Sequence, residues 1–203
     1  IEENELEFYG KWVYKLACEA DGTRKEITIK DLANRVQCAN EDALQVTQSH
    51  SSPISPPPFM AGAAEVEVDL ETGQVELIKF AAAVDCGTPL NEHLARVQTE
   101  GGLVQGIGMA LYEDVSYSKD GKVHENSFMQ YKVPSRLDVG RVQVEFESSF
   151  EPTGPFGAKS IGEVVINTPS PAIANAVYNA VGVRIRELPI TAEKVFKGMN
   201  GLD

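Results

Sequence analysis

A chain of 203 residues is long enough for one large or two small domains, and with 42% hydrophobic and 24% charged residues it has a globular, not a disordered, composition. Acidic residues number 30 against 18 basic ones, and the net charge of −12 repels phosphate backbones and anionic lipid, so no nucleic acid or membrane is expected as a partner. No apolar run approaches the ~20 residues of a membrane-spanning helix and no basic-then-apolar leader opens the chain, so a soluble protein is expected, and three cysteines without a disulfide pattern favour the reducing cytoplasm.

The chain opens on Ile1 in place of Met and reads as a processed product or an excised piece of something longer. Around Leu6–Leu16 apolar and aromatic residues mix with charges, and Glu26–Ile29 alternates as a short strand. Asp31 is the expected N-cap of a helix through about Val36. Thr47–Pro58 carries four prolines and five hydroxyl residues, which exclude a helix interior and a central strand. Glu65–Leu70 and Gln74–Phe80 alternate around Glu71-Thr72-Gly73 and predict a β-hairpin.

Apolar residues at helical spacing predict a helix over Leu94–Leu111, in spite of glycines at 101, 102, 106 and 108. Each such glycine costs a helix up to ~1 kcal/mol relative to alanine, so close approach of a ligand or of another backbone is expected there. A second hairpin is expected from Tyr112–Ser118 and Lys122–Phe128, then a strand over Arg141–Phe150. Ser170-Pro171 opens a helix that Gly182 stops, Val183–Leu188 reads as a strand, and Thr191 caps a last short helix. Strands and helices follow no βαβ repeat, so the expected class is α+β, with helices packed on a mostly antiparallel sheet. The expected organisation is an N-terminal strand and helix segment over 1–48 that continues from a missing upstream part, a Pro/Ser-rich loop over 49–62, and a C-terminal domain over 63–203.

Cys18, Cys38 and Cys86 show no C-x-x-C spacing, which argues against a disulfide framework and a protein-ligated iron–sulfur or zinc site. His50, His93 and His124 stand far apart and read as ordinary polar residues, so no metal-ligating residues are expected. The loop Gly154-Pro155-Phe156-Gly157-Ala158-Lys159-Ser160-Ile161-Gly162-Glu163 combines glycines that admit a ligand, a lysine able to pair with an anion, and a terminal carboxylate able to act as a base. Ala158 stands where a phosphate-gripping Walker loop needs glycine, which disfavours a nucleotide triphosphatase. A turn-rich connection with Glu163 solvated is an equal reading of the pattern. In the block from Gln98 to Gly108, Gly106-x-Gly108 lacks the third glycine of a dinucleotide fingerprint, and a tightly packed helix is the simpler reading of that block.

In their order these segments resemble the C-terminal region of the molybdopterin-binding large subunit of the xanthine dehydrogenase and aldehyde oxidase family. The resemblance runs through PPPFMAGAAEVEVDLETGQVELIKFAAAVDCG, QTEGGLVQGIGMALYEDV, QYKVPSRLD, GPFGAKSIGEVVINTPSPAIANAVYNAVG and VRIRELPITAEKV. It implies a molybdenum hydroxylase, in which 63–203 is the molybdopterin-binding part and Glu163 is the general base that takes a proton from the metal's hydroxide. It further implies that Gln98 hydrogen-bonds the cofactor, that Gly101 and Gly102 belong to the same cofactor-binding block, and that Gly157, Ala158, Lys159 and Ser160 lie along the cofactor. The implied cofactor is a molybdenum-pterin group, molybdopterin or its cytosine dinucleotide. Iron–sulfur centres and FAD are expected on other domains or subunits, and the implied partners are the remainder of the molybdopterin-binding subunit, those redox chains, and a small-molecule substrate. Purines, other N-heterocycles and aldehydes all stay open as substrates, and a non-catalytic assembly module of the same fold is the alternative. Many relatives carry glycine and valine at the positions of Ser160 and Ile161 and proline at that of Val164.

Overall fold

The computed structural model describes residues 6–9, 13–16, 26–39, 47–49, 51 and 54–202, and the chain divides into two compact units, Ile1–Ser51 and Ser52–Asp203. In the first unit β1 (Leu6–Tyr9), β2 (Val13–Leu16) and β3 (Glu26–Thr28) form an antiparallel sheet in that order, and β3 runs directly into α1 (Ile29–Cys38). The cap of α1 is Thr28, not Asp31. Thr28 still has extended backbone, its hydroxyl oxygen accepts from the Asp31 N–H at 3.0 Å, and the hydroxyl donates to the Asp31 carboxylate at 2.6 Å. Asp31 thus supports the cap from inside the first turn, where its charge also suits the helix dipole. Cys18 and His50 lie outside the described residues.

The second unit holds a sheet of order β4-β5-β6, made of β4 (Phe59–Val68), β5 (Val75–Asp85) and β6 (Arg141–Phe146). The β4–β5 hairpin forms as expected and is longer than predicted at its open end. Its turn is closed by the Asp69 carboxylate, which accepts from the N–H groups of Glu71 and Thr72, and by Gly73 at φ +76°. A bulge at Glu65–Val66 leaves Ile78 of β5 without a partner, so inward positions change from Val75 and Leu77 to Phe80, Ala82 and Val84. One extra residue therefore keeps apolar side chains on one face across a change of parity. Burial in β4 alternates along its whole length, and the outward residues Glu65 and Glu67 face water.

The helices α2 (Glu92–Leu111), α3 (Pro169–Val181) and α4 (Ala192–Met199) share one core with this sheet. Phe80, Val84 and Val144 meet Leu103, Ile107, Ile173, Val177 and Val195, all of them at most 1% exposed. This is the expected α+β arrangement, since each helix has an apolar stripe and the sheet one apolar face. Helix α2 starts two residues before its predicted start because the Asn91 side chain accepts from the Leu94 N–H at 3.1 Å. Gly182 at φ +74° ends α3, and Thr191 caps α4 by accepting from the Lys194 N–H, both as predicted.

Three expected elements differ. Strand β6 stops at Phe146, short of Phe150, and lies parallel to β5 on the edge opposite β4. The second hairpin reduces to one bridge, Tyr117 to Val123, around Gly121 at φ +77°. Its ladder is displaced by the Glu125 carboxylate, which accepts both the N–H and the hydroxyl of Ser116 at 2.6 and 2.8 Å. Residues 183–188 form no strand. The segment instead packs by Arg184, whose guanidinium stacks over Tyr178 and donates to Asn175.

Candidate functional site

Residues Gln98, Gly101, Gly102 and Gln105 recur at i, i+3, i+4 and i+7 and therefore share one face of α2. Opposite them stand Gly162, Glu163 and Ile166, and between the two walls lies an open cleft of about 330 Å³. The walls are joined by a hydrogen bond from Gln98 Nε2 to the Gly162 carbonyl at 3.3 Å. Glu163 is exposed, and among the described residues no side chain donates to its carboxylate.

The glycines of α2 divide into two kinds. A Cβ on Gly102 would strike the Val165 side chain, one on Gly106 would press on Pro169 and the Ile166 carbonyl, and one on Gly108 would strike Glu113. These three are small because protein packs against them. A Cβ on Gly101 would meet nothing within 4 Å, and Gly101 lines the cleft. Close helix packing thus explains three glycines and leaves Gly101 facing open space.

A second hollow, of about 500 Å³, adjoins the first through Val97 and Gln98 and is lined also by Cys86, Leu94, Ala158 and Lys159. Of the residues expected along a cofactor, Ala158 and Lys159 lie here, whereas Gly157 is buried against Phe150 and Ser160 is exposed outside both hollows. The loop is bent by successive positive φ angles at Phe156 (+54°) and Gly157 (+82°) and is sewn to the end of β5. Thr88 N–H donates to the Gly157 carbonyl at 2.8 Å, and Lys159 N–H donates to the Cys86 carbonyl at 2.7 Å.

The ammonium of Lys159 is not free for an anion. It donates to the Asp85 carboxylate at 2.5 Å and lies 5.0 Å from the centre of the Phe59 ring. Asp85 also accepts from the Ser149 hydroxyl at 2.5 Å and the Gly87 N–H at 3.0 Å. With Lys159 as the largest cause, these donors hold the Asp85 carboxyl down at about 2. Cys86 beside it is buried, which pushes its thiol up. His124 shares a 3.0 Å contact with the Ser116 hydroxyl, and among the described residues no group of three His, Cys, Asp or Glu side chains is placed to hold a metal ion.

Sequence reasoning singled out Gln98, Gly101, Gly102 and Glu163, and the fold brings these four to one cleft. It assigned no site role to Gln105 or Asp85. Gln105 was detectable from its i+7 spacing to Gln98, but the partnership of Asp85 with a lysine 74 residues away carried no local signal.

The sequence matches the molybdopterin cofactor-binding domain model over residues 1–140. It is 34% identical over 180 residues to the Escherichia coli K12 protein named "Probable hypoxanthine oxidase XdhD", covering 88% of this chain and 19% of that relative. With the aldehyde oxidoreductase molybdenum-binding subunit PaoC of Escherichia coli K12 it shares 36% identity over 139 residues, 68% of this chain and 19% of the relative. The aldehyde oxidoreductase structure from Desulfovibrio gigas superposes with a TM-score of 0.65 at 32% identity, over 70% of this chain and 15% of that one. CO dehydrogenase from Oligotropha carboxidovorans gives a TM-score of 0.79 at 24% identity over 99% of this chain and 25% of that one, a likeness of fold. The chain thus spans about a fifth of the length of the curated relatives it matches. By sequence and fold together, the chain belongs to the molybdopterin cofactor-binding domain family of the molybdenum oxidoreductases, alongside xanthine dehydrogenases and aldehyde oxidoreductases.

Proposed function

We propose that this chain supplies one wall of the active site of a molybdenum hydroxylase, with Glu163 as general base for hydroxylation of a purine or related N-heterocycle. The reading is carried by the cleft that unites Glu163 with Gln98 and Gly101. The residues there fit a molybdenum-pterin group. Their donors are amides and backbone, suited to the edge of an organic ring system that brings its own metal ligands, and Gly101 leaves the room that such a group needs beside a helix. When bound, the group supplies a Lewis-acidic metal and accepts two electrons from the substrate.

Glu163 takes the proton of the attacking hydroxyl on its carboxylate. Its exposure into the cleft, without a competing donor among the described residues, leaves both oxygens available. Gln98 fixes the Gly162 carbonyl and so sets the direction in which the next residue enters the cleft. The preference for an N-heterocycle follows the name of the relative matched over most of this chain, and aldehydes are the second substrate class. Iron–sulfur and flavin chains are the proposed route for electrons out of the site. A phosphate-binding role through Lys159 is disfavoured, since Asp85 already neutralises that ammonium.

The test is Glu163→Gln in the enzyme purified with its accompanying chains, assayed on hypoxanthine, xanthine and an aromatic aldehyde. Loss of a general base lowers turnover by a factor on the order of 10²–10⁴. Molybdenum content should stay at the unmutated level. Turnover within a few-fold of the unmutated enzyme removes Glu163 as the base, and a native complex without molybdenum favours a non-catalytic assembly module.

A further inference from the structure

We propose that Asp85 is a positioning residue for Glu163, acting through Lys159 to hold the catalytic loop against the end of β5. The inference rests on the base role proposed for Glu163.

Residues 158–163 contain no helix or ladder of their own, so their place depends on what grips them. Downstream the grips are Gln98 on the Gly162 carbonyl and the Ile166 N–H on the Glu163 carbonyl. Upstream it is the Gly87–Ala158 bridge, the Lys159 N–H on the Cys86 carbonyl, and the ion pair from Lys159 to Asp85. The ion pair differs from an ordinary surface pair. Its side chains are only 7% and 22% exposed, and the carboxylate takes two further donors, from Ser149 and Gly87. A shielded pair of this kind is costly to break from one side, because the remaining charge is left without a partner. Without Asp85, the Lys159 ammonium turns toward water and draws residues 158–160 from the β5 end. Glu163 lies four residues on, and a base displaced by about 1 Å loses roughly 10²-fold in rate.

Asp85 therefore reaches the chemistry without touching it. In the holoenzyme Asp85→Asn should lower kcat by about 10- to 100-fold. KM and molybdenum content should stay near the unmutated values. Hydrogen exchange should quicken across residues 158–163 and not in β4, and Asp85→Glu should recover much of the lost rate. Should Asp85→Asn fail to assemble, Ser149→Ala removes one donor without stranding a charge, and it should give faster exchange over the same residues with a smaller fall in kcat.

An Asp85→Asn enzyme with kcat within twofold of normal overturns the proposal, as does a fall in kcat matched by an equal loss of molybdenum. Unchanged exchange and rate in Ser149→Ala does the same where Asp85→Asn cannot be made. Glu163→Gln, run alongside, separates the two ideas. An active Glu163→Gln enzyme removes the base and the positioning role together, whereas an inactive one beside a normal Asp85→Asn enzyme removes the positioning role alone.

Discussion

Asp85 couples protonation to folding. Its carboxyl stands at about 2 in the folded chain against an ordinary value of 3.8, so the native state binds fewer protons than the unfolded one in between. The resulting stability is complete above about pH 4 and is lost as pH falls toward the folded value, an effect on the order of 1–2 kcal/mol for a partly shielded pair. Unfolding midpoints of the unmutated and Asp85→Asn proteins, followed from neutral pH downward, should converge below about pH 4. A gap that stays constant with pH would show that the ion pair contributes nothing. The same residue marks a limit of sequence reading. Lys159 in a glycine-rich loop looks like an anion ligand until its partner is known, and that partner sits at the end of a strand 74 residues earlier. Glu163 was legible because its loop was; its freedom from donors was not, since that depends on every element around it.

Among the elements, α2 offers the sharpest contrast. Gly101→Ala adds a methyl to open space and should raise helix stability by up to ~1 kcal/mol while lowering turnover, because the methyl enters the cleft. Gly102→Ala drives a methyl into Val165 and should destabilise by about 1–3 kcal/mol. Thermal midpoints with turnover measured on the same preparations separate the two, and equal loss of stability in both would refute the division. Helices α2, α3 and α4 and the β4–β5 hairpin were legible because their periods and caps are local. The second hairpin was not, since Glu125 captures the donors of Ser116 by a side-chain bond that alternation does not encode. Nor was the parallel setting of β6, which follows from the crossover through α2 that separates it from β5.

For the molecule as a whole, the second unit hangs on one core, in which Phe80 is fully buried between sheet and helices. Phe80→Ala should cost about 3–5 kcal/mol, read as a loss of midpoint or of soluble enzyme. The family was recognisable from the order of several blocks, whereas the cleft was not, because its walls meet across 64 residues through Gln98 and Gly162. Helix α2 presents two faces of different kind. Its inner face is locked by Leu103, Ile107 and the packed glycines, while Gln98, Gly101 and Gln105 look outward into the cleft. In a saturation library scored first for expression and then for substrate range, the inner positions should be purged in the first round. The outward three should pass it, so within this helix the variants with altered chemistry should come from positions 98, 101 and 105.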